Sequence, residues 1–214
     1  MPLLSLFRHE ETRIGIWEIS ETSDTLCALL AESGMEVVGN LAVPFLEKRR
    51  KEWLAERILL RHTFGLPGDI GHEADGRPFL TAATARLSIS HTGPFVALAV
   101  APSQPVGIDI EQYGPRAFRL RDKFLSPGEW GYAAPSQAET WAVTAWSAKE
   151  AAFKLFGQKG DSLKDDIRLT ETGVPGGTSA IRASLHTDEA QATVHYRFFP
   201  SFVFTIAQFP AGNP

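Results

Sequence analysis

The chain has 214 residues, of which 43% are hydrophobic and 21% are charged. This length and composition provide for one large core or two modest ones, and they exclude a disordered, collagen-like or coiled-coil protein. The net charge of -4 argues against a general nucleic-acid-binding protein, because such proteins concentrate lysine and arginine.

The one cysteine and the first residues indicate where the protein works. Cys27 has no second cysteine to pair with, and no Cys/His cluster indicates a zinc site. The apolar start, residues 1–7, is too short to cross a bilayer, and the charged residues that follow it are unlike a signal peptide. We therefore expect a cytoplasmic protein that is not inserted in a membrane.

In the first part of the chain, the pattern predicts one strand and two helices. Alternation over residues 13–20 is typical of a strand, and residues 25–31 are typical of a short helix. A longer helix is predicted over residues 44–64, because a proline opens its first turn and Gly65 follows its end. Three arginines fall within the apolar arc of this helix: Arg50, Arg57 and Arg61.

A hairpin and a loop come next. Residues 86–90 and 95–101 alternate around a turn that contains glycine and proline, which is typical of two paired strands. We interpret the following loop, residues 102–105, as the boundary between two halves of similar size. The predicted domains are residues 1–103 and residues 104–214.

The second half begins with a strand over residues 106–111. A helix is predicted over about residues 137–156, and residues 167–209 alternate often enough for three or four antiparallel strands. A basic stretch lies between the first strand and the helix. If that stretch is helical, three of its side chains share one face: Arg116, Arg119 and Lys123.

The strand over residues 106–111 carries two carboxylates on one face. Its period of two places Gly107, Asp109 and Glu111 on the same side. Mg²⁺ binds carboxylate oxygens together with substrate phosphates and waters, so this pair can form half of a metal site. An ordinary exposed strand face has the same pattern.

The predicted helix carries Lys149, Glu150 and Lys154. Lys149 lies near the middle of the apolar arc, where a lysine is costly unless its ammonium meets an anion or reaches out to solvent. Glu150 and Lys154 are four residues apart, a spacing that is also common on solvated helix faces. Taken separately, the strand and the helix leave both interpretations open.

Together, the two segments resemble the signature of the 4'-phosphopantetheinyl transferases, with Gly-Ile-Asp-Ile-Glu at residues 107–111 and Trp-Ser-Ala-Lys-Glu-Ala-Ala-Phe-Lys at residues 146–154. Gly-Arg-Pro at residues 76–78 is similar to the family's Gly-Lys-Pro segment, and Ser-Ile-Ser-His-Thr at residues 88–92 to its Ser-x-Ser-His-Ser/Thr segment. Length and motif order resemble the larger, monomeric class typified by the surfactin-synthetase-activating enzyme. The resemblance covers about residues 49–154.

The resemblance implies an α+β fold in which two similar α/β halves pack about a pseudo-two-fold axis, with coenzyme A and Mg²⁺ in the cleft between them. The implied metal ligands are Asp109, Glu111 and Glu150, with Mn²⁺ as a possible substitute for Mg²⁺. Glu150, or a metal-bound water beside it, is the candidate general base. Lys149 and Lys154 match lysines near the phosphates, and Lys154 is the candidate group that stabilises the leaving 3',5'-ADP.

Other matches concern the 3'-phosphoadenosine end of coenzyme A. Ser90 and His91 match the pair that approaches this end in the family. Arg77 stands where the family usually has lysine, which keeps the charge and alters the reach. Arg57 is a further candidate because of its inward position, since a guanidinium can bind phosphate through two hydrogen bonds.

The implied activity is transfer of 4'-phosphopantetheine from coenzyme A to a serine of an acyl or peptidyl carrier protein, as in a holo-acyl-carrier-protein synthase. The alternative is a non-catalytic module that binds coenzyme A or a carrier protein, which we expect to have lost a metal carboxylate. A magnesium enzyme of another nucleotide pyrophosphate shares the three acids, but no Walker-type glycine loop supports it. We expect a monomer, because the chain holds both halves. The face of Arg116, Arg119 and Lys123 is a candidate docking surface for an acidic carrier helix, and an ordinary solvated helix face has the same pattern.

Overall fold

The structure is a computed structural model that describes residues 3–35, 46–132, 134–157, 162–170, 180–185 and 190–210. The chain divides into two compact units, Met1–Gln104 (the first unit) and Pro105–Pro214 (the second unit). Each unit packs helices on its own antiparallel sheet and encloses its own hydrophobic core. The predicted α+β class is confirmed, and the implied pseudo-two-fold axis stays a prediction.

The first unit contains a six-stranded sheet and two helices. Its elements are β1 (Leu3–His9), β2 (Thr12–Glu18), α1 (Ser23–Glu32), α2 (Glu47–Ile58), β3 (Ile70–His72), β4 (Pro78–Leu80), β5 (Arg86–Thr92) and β6 (Phe95–Ala101). The strands lie in the order β1-β2-β6-β5-β4-β3 and are all antiparallel. Helix α2 continues into a π-helical turn over Leu59–Thr63.

The core of the first unit forms where α2 packs against α1 and β6. Trp17 of β2, Leu26 of α1, Leu54 of α2 and Leu98 of β6 are all nearly inaccessible to solvent. Burial of such side chains stabilises the fold by roughly 1.5 to 3 kcal/mol each. The predicted long helix is confirmed from Glu47 onward, and its first residues, 44 and 45, lie outside the described residues.

The predicted hairpin is confirmed as β5 and β6, which pair from Arg86 opposite Ala101 to Thr92 opposite Phe95. Gly93 in the turn has a φ of 55°, a left-handed conformation that favours glycine.

Three strands of this sheet were not predicted. Strands β3 and β4 have only three residues each, which is too short for a detectable period. The apolar start of the chain is strand β1, at the edge of the sheet.

The second unit packs one long helix on a five-stranded sheet. Its elements are β7 (Gly107–Gln112), α3 (Pro115–Leu120), α4 (Pro127–Trp130), α5 (Ala138–Leu155), β8 (Ile167–Thr170), β9 (Ala180–Leu185), β10 (Gln191–Phe198) and β11 (Phe202–Gln208). The order is β7-β11-β10-β9-β8, with every pair antiparallel. The predicted helix is confirmed, and of the three or four antiparallel strands predicted after it the structure contains four. No helix among the described residues has the length and apolar character that crossing a membrane requires.

Helix α5 contacts all five strands and lies especially close to β7. A Cβ atom on Gly107 would stand 2.0 Å from the carbonyl oxygen of Ala151 and 2.7 Å from the amide nitrogen of Leu155. The helix therefore rests directly on the strand backbone at this glycine. This close approach positions the side chains described next.

Candidate active site

Asp109 and Lys154 meet at the contact between β7 and α5. The Nζ atom of Lys154 donates to Asp109 Oδ1 at 3.0 Å and to the carbonyl oxygen of Ile108 at 2.9 Å. Asp109 is buried, with 6% of its surface exposed, so its carboxylate lies in a place where an unpaired charge is costly. The structure thus brings together two of the predicted site residues, one from each sequence motif.

The charges of Asp109 and Lys154 act on the carboxyl group of Glu150. Burial raises the pKa of its carboxyl, the charge of Asp109 raises it further, Lys154 opposes the shift, and Glu111 adds a smaller increase. The cluster therefore holds three carboxyl groups, from Asp109, Glu111 and Glu150, against one ammonium group.

This charge balance suits a divalent cation, because Mg²⁺ bound to the carboxylate oxygens would offset their net negative charge. Within the part of the chain that the structure describes, no group of three or more His, Cys, Asp or Glu side chains is gathered closely enough to hold one ion. The three side chains have the donor chemistry that Mg²⁺ prefers, but the structure does not gather them into one ion site, and Lys154 occupies an oxygen of Asp109.

Lys149, which the resemblance predicts near phosphates, contacts protein acceptors in the structure. The side chain is fully buried, and its ammonium donates to Glu129 at 2.8 Å and to the carbonyl oxygens of Leu163 and Ile167 at 2.9 and 2.6 Å. An ammonium has three N–H donors, and these contacts use all of them. Burial lowers the pKa of Lys149, and the hydrogen bond and charge of Glu129 oppose that shift. Lys149 therefore connects α5 to α4 and to the start of β8.

Glu129 is a residue that the sequence analysis missed. Its carboxylate accepts hydrogen bonds from the backbone N–H groups of Ser126 at 2.7 Å and Leu169 at 2.9 Å, besides the ammonium of Lys149. Ser126 and Glu129 form a capping box, whose Ser-x-x-Glu pattern is visible in the sequence. The pattern indicates a helix start, but the partner Lys149 is distant in sequence and is revealed only by the fold.

In the first unit, Arg57, a predicted phosphate ligand, is also engaged by protein acceptors. Its Nε atom lies 2.7 Å from Asp69 Oδ1, and its Nη groups donate to the carbonyl oxygens of Ile70 at 3.0 Å and Trp53 at 3.2 Å. The guanidinium carbon lies 3.6 Å from the centre of the Trp53 ring. Since only 3% of its surface is exposed, Arg57 stabilises the core and does not present its guanidinium to a phosphate in solution.

Arg77 and Ser90 occupy different environments. Arg77 is about half exposed and pairs with Asp75 in the same turn, with Nε 2.6 Å from the Asp75 carboxylate. An exposed guanidinium of this kind remains accessible to an anion. Ser90 is buried in β5, and the next residue, His91, is exposed.

His91 belongs to a small charged group with Arg49 and Glu52. Arg49 Nη1 donates to His91 Nε2 at 2.8 Å and lies 3.2 Å from a carboxylate oxygen of Glu52. His91 Nδ1 lies 3.8 Å from the other oxygen of Glu52. Because Nε2 accepts, a neutral His91 carries its proton on Nδ1, toward Glu52.

Arg49 is a second candidate that the sequence analysis missed. The buried Glu52 sits next to both Arg49 and His91, whose side chains are 49% and 40% exposed. Arg49 is about half exposed and its guanidinium carries five N–H donors, so it can bind an anion while it contacts Glu52 and His91. The corresponding sequence signal is the basic run Lys-Arg-Arg-Lys at residues 48–51, at the start of α2.

Comparisons with known proteins show that the second unit is similar to one protein family. Residues 105–207, which include β7 and α5, match the family model of the 4'-phosphopantetheinyl transferase superfamily. A "4'-phosphopantetheinyl transferase" of Bacillus subtilis is 34% identical over 110 residues, which cover 48% of this chain and 48% of that protein. The "4'-phosphopantetheinyl transferase AcpT" of Escherichia coli strain K12 is 35% identical over 130 residues, 58% of this chain and 65% of that protein.

One further relative matches a longer part of this chain, and one solved structure matches half of it. The "4'-phosphopantetheinyl transferase psf-1" of Bacillus pumilus is 30% identical over 161 residues, 70% of this chain and 62% of that protein. The crystal structure of Thermotoga maritima holo-[acyl-carrier-protein] synthase (AcpS) superposes with a TM-score of 0.38 and 19% identity, over 50% of this chain and 64% of that chain. The matched regions thus span about half to two thirds of these proteins.

Proposed function

We propose that this chain, whose residues 105–207 match the family model of the 4'-phosphopantetheinyl transferase superfamily, transfers 4'-phosphopantetheine from coenzyme A to a serine of an acyl or peptidyl carrier protein. The observation that carries this proposal is the cluster of Asp109, Glu150 and Lys154 at the contact of β7 and α5. A non-catalytic binding module is the weaker alternative, since the chain retains all three carboxylates of the motif.

In the proposed reaction, the serine Oγ attacks the pantetheine-side phosphorus of the pyrophosphate. A new P–O bond forms as the bond to the bridging oxygen breaks, and 3',5'-ADP leaves. Glu150 accepts the serine proton, and the raised pKa of its carboxyl suits this role because a base is most effective when its pKa approaches the working pH.

Lys154 is placed to stabilise the leaving group. Among the described residues it donates to Ile108 and Asp109, which leaves one of its three N–H donors for a phosphate oxygen. An ammonium at that position offsets the negative charge that develops on the pyrophosphate.

Asp109, Glu111 and Glu150 are the residues that would hold Mg²⁺, or Mn²⁺ in its place. When bound, the ion supplies a Lewis acid that offsets the charge of the pyrophosphate.

The 3'-phosphate of coenzyme A is the proposed ligand of Arg49 and His91, with Arg77 as a further basic side chain. Arg57 and Lys149 are not part of this proposal, because both are buried and engaged by acidic partners. The main difference from the sequence analysis is therefore that Arg49 replaces Arg57.

The proposed surface for the carrier protein is the basic face of α3 and the turn that follows it. Arg116, Arg119 and Lys123 are exposed there, whereas Arg121 packs on the rings of Phe118 and Trp130. Exposed positive charge attracts an acidic docking helix and acts mainly on the rate of encounter. We also propose that the protein works as a monomer in the cytoplasm, since it contains two units and a single cysteine.

The test is incubation with apo carrier proteins, coenzyme A and Mg²⁺, followed by intact-protein mass measurement. We expect one phosphopantetheine to be added to the carrier, and EDTA to stop the reaction until Mg²⁺ or Mn²⁺ is restored. Asp109→Ala and Glu150→Ala should abolish transfer, while Glu139→Gln, at an exposed position of the same helix, should not. Transfer at the wild-type rate by both alanine variants would refute the proposed function.

A further inference from the structure

Two buried hydroxyl groups connect α5 to the strand beside Asp109. Ser147 Oγ of α5 lies 2.9 Å from Thr205 Oγ1 of β11, and neither residue is exposed to solvent. Thr205 Oγ1 also lies 3.0 Å from the carbonyl oxygen of Ser147 and 3.5 Å from that of Asp109. Thr205 is the direct cross-strand partner of Asp109.

The direction of these hydrogen bonds follows from the number of protons. Thr205 has one hydroxyl proton, which it donates to the carbonyl oxygen of Ser147. The carbonyl oxygen of Asp109, at 3.5 Å, is at the distance limit for a hydrogen bond from the same hydroxyl. Thr205 Oγ1 is then the acceptor for the hydroxyl proton of Ser147. Both protons are used, and the contact links helix to strand through two hydrogen bonds in a dry environment.

The two residues lie next to the groups of the proposed site. Ser147 precedes Glu150 by three positions, so the two are neighbours on the surface of α5. Thr205 holds the backbone position opposite Asp109. A shift of α5 relative to β7 or β11 would break the hydroxyl contact and also separate Lys154 from Asp109.

We propose that Ser147 and Thr205 are positioning residues, which hold α5 against β7 and β11 so that Glu150 and Lys154 meet Asp109. The significance of this role for catalysis rests on the proposed function, but the positioning itself can be tested without substrate or metal. The contact is distinct from the apolar packing of α5, because it fixes one point along the helix and a hydrophobic surface does not.

The first test is competitive acetylation of lysines, quantified by peptide mass spectrometry. Lys154 is partly buried and held by two acceptors, so its labelling should be slow relative to the exposed Lys123. In Thr205→Val, which keeps the shape and removes the hydroxyl, labelling of Lys154 should rise about fivefold, the effect of one net hydrogen bond on an opening equilibrium. Thr205→Ser should restore slow labelling, because it restores the hydroxyl.

The matched control is Thr144→Val. Thr144 is also buried on α5, but its hydroxyl donates to the carbonyl oxygen of Thr140 in the same helix, and among the described residues it connects α5 to no other element. Labelling of Lys154 in this variant should stay at the wild-type level. Equal labelling in Thr205→Val and wild type, or an equal increase in both valine variants, would overturn the positioning role.

A second measurement separates this inference from the proposed function. Binding of Mn²⁺, followed by the electron paramagnetic resonance of free Mn²⁺, should weaken about fivefold in Thr205→Val and should be unchanged in Thr144→Val. If wild type binds no Mn²⁺ and transfers no phosphopantetheine while Thr205→Val still exposes Lys154, the proposed function fails and the positioning role stands. Unchanged Mn²⁺ binding in Thr205→Val would refute the link between the hydroxyl contact and the metal site.

Discussion

Replacing Gly107 with alanine should separate α5 from β7 and thereby disable the site. The added Cβ would lie 2.0 Å from the carbonyl oxygen of Ala151, whereas ordinary contacts begin near 3.4 Å. The nearest atoms belong to the helix backbone, which has no rotamer to change, so α5 must move by about 1.4 Å. That movement would stretch the contact of Lys154 with Ile108 and Asp109, which now measures 2.9 and 3.0 Å.

The expected cost has two components. Overpacking of a dense core costs about 1 to 3 kcal/mol of stability, and the alanines of α5 that face the sheet are fully buried and leave no free space: Ala145, Ala148, Ala151 and Ala152. Misplacement of reacting groups by about 1 Å lowers a catalysed rate on the order of a hundredfold. We therefore expect Gly107→Ala to fold with a lower melting temperature and to transfer phosphopantetheine on the order of a hundredfold more slowly.

The assay compares initial rates of carrier modification with thermal unfolding for the same preparations. Gly128→Ala is the matched control, because a Cβ at Gly128 in the same unit would meet nothing within 4 Å. A Gly107→Ala variant with the rate and melting temperature of wild type would show that α5 does not rest on β7 as described.

Three further predictions concern buried and charged groups. Burial raises the pKa of Glu56 from 4.5 to about 7, so between these values the folded state keeps a proton that the unfolded state loses. The free energy of unfolding should therefore fall by roughly 3 kcal/mol as pH rises from about 4.5 through 7. Urea denaturation of Glu56→Gln should show a flatter dependence of this free energy on pH. Lys149→Met leaves the buried carboxylate of Glu129 without its ammonium partner, which should lower the free energy of unfolding by about 3 to 5 kcal/mol in denaturation experiments. If stability is normal and the KM for coenzyme A rises instead, Lys149 is a phosphate ligand. Arg49→Ala should lose a charge-assisted hydrogen bond of about 1.5 to 3 kcal/mol, so that its preference for coenzyme A over dephospho-coenzyme A shrinks at least tenfold in competition binding. Undiminished preference would place the 3'-phosphate elsewhere.

Local patterns were sufficient to predict the elements that carry the site. A period of two over residues 106–111 identified β7, and a helical period bounded by Gly157 identified α5. Asp109, Glu150 and Lys154 could be selected because motif and periodicity both pointed to them. Strands β3 and β4 escaped detection, since three residues are too few to establish a period.

The environment of buried charges could not be predicted in the same way. Lys149 and Arg57 were correctly recognised as basic residues at inward positions, but their partners, Glu129 and Asp69, come from other elements. An inward-facing cation is compatible with either a ligand phosphate or a protein carboxylate. Only the tertiary structure distinguishes these cases, because the choice depends on contacts between residues that are distant in sequence.

The two buried clusters are formed by different stretches of the sequence, which has a consequence for the order in which they can form. Among the residues that the structure describes, the buried cluster around Leu54 ends at Val100, and the buried cluster around Ala148 begins at Ala117. During synthesis, every residue of the first core has therefore emerged before any residue of the second, and domains of this kind fold one at a time in that order. The side chains that form the first of these clusters are therefore available for packing before helix α5, which bears Glu150, has been completed.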